Sequence, residues 1–93
     1  MATKNQQELL DYLGPQYFLR NIDGEPCICR NINTRYDLEI SGTAKKKHSL
    51  DVYVWDISRG TGTAATIVEQ IIDIPDKEML KQTLIELIKK YSD

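Results

Sequence analysis

Long hydrophobic runs are missing from this sequence. Its uninterrupted apolar stretches cover only a few residues, against the roughly 20 that a membrane-spanning helix requires. The segment from Met1 to Gln7 is too polar for the apolar core of a signal peptide. No membrane association is expected, and the chain reads as cytoplasmic. Charge of one sign is missing as well: 12 basic against 14 acidic residues leave a formal charge of −2. No global field therefore draws the protein to nucleic acid or to an anionic membrane, and any such binding has to come from a local patch.

Cysteine is limited to Cys27 and Cys29, and histidine to His48. Alternate residues of one strand hold their Cβ atoms too far apart for a relaxed disulfide, so no disulfide framework is expected, in keeping with a reducing compartment. A structural zinc site wants four ligands at characteristic spacings, and these three residues do not supply them. With one histidine, set in a lysine-rich segment, a catalytic Cys-His pair has no local support. Asp37 and Glu39 share one strand face, but alternating acids on a sheet read as its solvated side. The segment RGTGT, Arg59 to Thr63, has two glycines without the spacing of a phosphate-binding loop. No convergent nucleophile, base and oxyanion-donor set is present. These absences predict a protein with no catalytic residues, no metal and no cofactor.

What is present suffices for one α+β domain over residues 1–93. A chain of this length hides about 60 to 65% of its unfolded surface, and 41% hydrophobic with 28% charged residues is ordinary for a globular fold. Thr3 can cap a helix as Thr-x-x-Gln with Gln6, and Leu9, Leu10 and Leu13 fall on one stripe before Gly14-Pro15 stops it. Helix is expected over about residues 4–13. Strands are expected at Tyr17–Ile22 and Pro26–Arg30, joined by an Asp23-Gly24 turn, and at Tyr36–Ser41, where Tyr36, Leu38 and Ile40 alternate with polar residues. A loop from Gly42 to His48 leads to a fourth strand, Ser49–Ile57. The run AATIVEQIIDI, Ala64 to Ile74, fits either a strand or a short helix, and its β-branched content favours a strand from Thr66 to Ile74. From about Asp76 to Tyr91 the spacing of Leu80, Leu84, Leu87, Ile88 and Tyr91 marks an amphipathic helix. Connections this short imply an antiparallel meander of four to five strands with a short N-terminal helix and a longer C-terminal helix packed on it.

The fourth strand, SLDVYVWDI, carries two apolar faces. Leu50, Val52 and Val54 match the aliphatic residues of the third strand and the C-terminal helix, so this face is assigned to the core. The other face holds Asp51, Tyr53, Trp55 and Ile57. A register with Ser41 opposite Ser49 sets Glu39 beside Asp51, Asp37 beside Tyr53, and Arg35 beside Trp55. Two readings of this second face stand open. Helix 1 or cross-strand packing shields its rings, or Tyr53, Trp55 and Arg35 form an exposed patch that binds a partner, as aromatic and arginine side chains do at binding hot spots. The partner is then another protein or a second copy of the chain, engaged through this face or through a sheet edge.

The alternative is single-stranded nucleic acid. Lys45, Lys46 and Lys47, with Arg20, Arg30, Arg35 and the aromatics Tyr17, Tyr36, Tyr53 and Trp55, are the residue types that stack bases and neutralise phosphates. The acidic residues Asp37, Glu39 and Asp51 on the same face oppose it. A lysine-rich loop tip also serves simply to protect a sheet edge.

Overall fold

The computed structural model describes residues 2–22, 24–44 and 49–92. The first helix, α1 (Lys4–Leu13), begins where the sequence asks it to. The Thr3 hydroxyl accepts from the Gln6 N–H, while the Gln6 side chain accepts from the Thr3 N–H. It ends at Gly14, which has a φ of +111° and donates its N–H to the Leu10 carbonyl. Gln6 is also the polar bolt between layers. Its amide donates to the Pro26 carbonyl and to the Thr43 hydroxyl, both at 3.1 Å, so this fully buried side chain leaves no polar group unpaired.

Among the described residues five strands follow: β1 (Phe18–Ile22), β2 (Glu25–Asn31), β3 (Tyr36–Ser41), β4 (Leu50–Asp56) and β5 (Thr66–Ile74). They form one antiparallel sheet in the order β1-β2-β3-β4-β5. The meander follows from short connections, which cannot carry a parallel crossover. The turn residue Asp23 and the loop residues Lys45, Lys46, Lys47 and His48 lie outside the described residues. Gly42, at the end of β3, is fixed by geometry: its φ is +79°, and a Cβ there would sit 2.6 Å from the Ser49 carbonyl oxygen.

The C-terminal helix, α2 (Lys77–Tyr91), is capped by Asp76, whose carboxylate accepts from the Met79 N–H. Glu78 in its first turn and Lys89 and Lys90 in its last complement the helix dipole. Both helices pack on the same side of the sheet. Leu9 of α1 and Leu80, Leu84 and Leu87 of α2 join Ile28, Leu38, Ile40, Val52 and Val54 in one core cluster. The registers line up Leu19, Ile28, Ile40, Val52 and Ile71 as one aliphatic row across all five strands.

One expected feature is corrected. Ser41 pairs with Asp51, not Ser49, and the remaining pairs shift with it: Glu39 lies opposite Tyr53, Asp37 opposite Trp55, and Tyr36 opposite Asp56. The physical reason is parity. A slip of one residue turns every side chain to the wrong face, but a slip of two preserves both faces, so the hydrophobic pattern does not distinguish the two registers. Along β4 and β5 the pairing is interrupted between Leu50 and Val52 and between Val54 and Trp55. Asp73 takes up the irregularity near the first of these, with a φ of +61° and its N–H donated to Asp51 Oδ1 at 3.0 Å.

Candidate functional site

The face of the sheet turned away from the helices is the feature that packing leaves unexplained. Its central row runs Phe18, Cys29, Glu39, Tyr53 and Gln70, and the next row runs Asn31, Asp37, Trp55 and Ile67. Of the two ways of shielding the aromatic face, cover by helix 1 or cross-strand packing, the first is not met, because Leu9 of α1 belongs to the core on the opposite side. Tyr53 and Trp55 are half-buried. Toward the outer strands the face is apolar and open: Phe18 is 47% exposed, Ile67 46% and Ile72 53%.

Its middle is concave, with a few charged groups set among apolar walls. A cavity of about 250 Å³ is lined by Arg20, Cys29, Asp37, Glu39 and Trp55, with Thr61 of the β4–β5 connection forming part of the wall. Glu39 sits at the centre and is only 8% exposed. Its Oε1 accepts the Trp55 Nε1–H at 2.8 Å, and its Oε2 faces the Cys27 thiol at 3.7 Å. Arg20 reaches Asp37 at 3.8 Å, a long and half-exposed ion pair.

The two cysteines lie on this face, both free and both buried. Burial, and next the neighbouring Glu39 charge, push the Cys27 thiol up to about 12 and the Cys29 thiol up to about 11. Both are therefore protonated at neutral pH, the opposite of what a nucleophile or a thiolate ligand requires. Among the described residues no group of three or more His, Cys, Asp and Glu side chains is placed to hold a metal ion.

This arrangement has a consequence in alkali. The unfolded thiols ionise near pH 9.0, whereas the folded ones hold their protons to about 11 and 12. Their contribution to stability is complete below pH 9 and is lost as pH rises through that window. Tyr91, whose O–H donates to Glu69 at 2.6 Å, is pushed up to about 12 and acts in the same direction. Denaturation midpoints should fall as pH rises above 9, and the fall should be shallower, though not absent, when both cysteines are replaced by alanine. At neutral pH both thiols should react slowly with a thiol reagent in the folded protein and rapidly once it is unfolded.

Of the residues singled out in the sequence, Tyr53 and Trp55 lie on the uncovered face, and Arg35 does not join them. Arg35 pairs with Asp56 at 3.4 Å and lies over the Tyr36 ring, 5.2 Å from its centre. The cation that shares a cavity with Trp55 is Arg20, which comes from β1. The wider set of aromatic and basic residues is split between the two faces. Tyr17 is buried in the core cluster with Arg30 over its ring, and Tyr36 packs edge-on against Tyr91 of α2. They form no common stacking platform with Trp55. Glu39 is the residue that sequence reasoning missed, since it alternates with Asp37 and Ser41 as a solvated acid would. Only the true register, which sets the Trp55 indole diagonally across from it, reveals its place.

Among the described residues no helix is long and apolar enough to cross a membrane. Comparison with known protein families, with curated proteins and with solved structures finds no match to this chain.

Proposed function

We propose that the chain is a small non-enzymatic binding module that docks another protein on the uncovered face of its sheet. The observation that carries this reading is the combination of half-buried Trp55 at the wall of a cavity, half-buried Tyr53 on the same face, and exposed Phe18, Ile67 and Ile72 beyond them, on a face that neither helix covers. Apolar side chains gathered and exposed on one face mark interaction sites on small proteins, and an aromatic anchor is a usual centre of binding energy. The protonated thiols support a non-catalytic role, and two unbridged cysteines suit a cytoplasmic location.

Protein is favoured over single-stranded nucleic acid by charge and by geometry. Asp37, Glu39 and Asp51 share the face with Trp55 and repel phosphates, and Tyr17 and Tyr36 belong to the helix side. Docking of a second copy by simple strand pairing at β5 is disfavoured by the irregular pairing of that strand, a device that turns an edge away from other edges.

The test is affinity capture from the native host with three baits: the unaltered chain, Trp55→Ala, and a triple variant with Lys45, Lys46 and Lys47 changed to Ala. Protein and nucleic acid in each eluate are identified by mass spectrometry. The expected result is a protein partner lost with Trp55→Ala and retained by the triple variant. Nucleic acid captured by the unaltered chain and lost in the triple variant would replace this reading with the alternative.

A further inference from the structure

We infer that the cavity on the uncovered face receives a lysine or arginine side chain from the protein partner. The inference rests on the reading that this face docks a protein, and it names the chemistry of the contact. It starts from Glu39. A carboxylate nine-tenths buried is costly unless a cation or several hydrogen bonds compensate it. Here it has one strong donor, Trp55 Nε1–H at 2.8 Å, and one weak thiol contact at 3.7 Å. The ion pairs among the described residues join Arg20 to Asp37, Arg35 to Asp56 and Lys90 to Glu69, and none involves Glu39.

The surroundings are acidic rather than basic. Asp37 and Glu39 line the cavity, and against them stands only Arg20, held 3.8 Å from Asp37. Burial is the main cause that raises both thiols, and the charges add to it in the same sense: Glu39 and Glu25 raise Cys27, and Glu39 and Asp37 raise Cys29 with Arg20 opposing. An anionic group would enter against this potential. A cationic one would be drawn in, and an aromatic wall beside carboxylates is the combination that holds an ammonium or guanidinium group.

Size points the same way. At about 250 Å³ the cavity lies below the roughly 300 to 1,000 Å³ of pockets that enclose whole small molecules. It suits one inserted side chain whose backbone stays outside. Exposed Phe18, Ile67 and Ile72 supply apolar surface on which the rest of the partner segment rests.

The experiment is a set of immobilised short peptides with mixed flanking residues and one fixed central residue: lysine, arginine, norleucine, citrulline or glutamate. It is probed with the folded protein at low and at high salt. Expected is a preference for lysine or arginine on the order of tenfold over the neutral analogues, as for a desolvated charge pair. The preference should shrink with salt and disappear in Glu39→Gln. Asp37→Asn, at a half-buried position, should weaken it and serves as the second variant in case Glu39→Gln does not fold. Retention of apolar or acidic peptides, lost in Trp55→Ala but unchanged in Glu39→Gln, would overturn the inference while leaving the face as a docking surface. Equal retention of all peptides would overturn it too, as would concentration-dependent self-association abolished by Glu39→Gln, which would make the occupant a second copy.

Discussion

Leu84→Ala is expected to lower the free energy of unfolding by about 2 to 5 kcal/mol, the range for truncating a large aliphatic side chain inside a packed core. Leu84 is 1% exposed and lies at the centre of the α2 stripe, between Leu80 and Leu87. The helix packs there on a face built from Leu38, Ile40, Val52 and Val54. The cavity left behind has no neighbouring layer to collapse into, since these strand residues are held by the sheet ladder on both sides. A domain of this size is stable by roughly 5 to 15 kcal/mol, so the change removes a large share of the total. Denaturant unfolding measures it directly. A loss below about 0.5 kcal/mol, the scatter of an ordinary surface substitution, would mean that α2 does not pack as described.

Trp55→Ala should separate folding from binding. The ring is half-buried, with no helix over it, so the loss of stability falls short of the roughly 3 to 5 kcal/mol for a fully buried aromatic. It is not negligible either, because the change removes the one strong hydrogen bond of Glu39. A buried acceptor left short of its donor costs about 1 to 3 kcal/mol, and that is the expected loss in the free protein. The effect on partner affinity should be larger, 2 kcal/mol or more as for a central aromatic anchor, which is roughly a 30-fold weakening. Trp55→Phe restores ring area without the N–H and should recover part of the packing while leaving Glu39 unsatisfied. A Trp55→Ala protein with unchanged partner affinity would remove Trp55 from the interface.

Local physics made most of the fold legible in the sequence. The Thr3 and Gln6 capping pair and the Gly14 stop define α1, and the density of β-branched residues between Thr66 and Ile74 decides strand over helix in the segment that fits both. The Leu80, Leu84 and Leu87 stripe identifies the buried side of α2. What escaped is information that local pattern does not contain. Registers two residues apart present the same residues to the same faces, and the bulges along β5 carry no signature in TIVEQIIDI. The site inherits that limit. Tyr53 and Trp55 are legible from alternation within one strand, whereas the association of Trp55 with Glu39 and Arg20 depends on register and on sheet twist. Arg35 was drawn to Trp55 by the shifted register, and the true one gives it to Asp56.

The openness of the aromatic face is tested most directly by the fluorescence of Trp55, the only tryptophan in the chain. The measurement is quenching by neutral acrylamide, with iodide and caesium as charged counterparts, on protein shown by sedimentation to be monomeric. Acrylamide should quench the emission readily, and the acidic surroundings of Asp37 and Glu39 should make caesium a better quencher than iodide. Strongly blue-shifted emission that acrylamide does not quench would place the indole in a closed core and contradict the account.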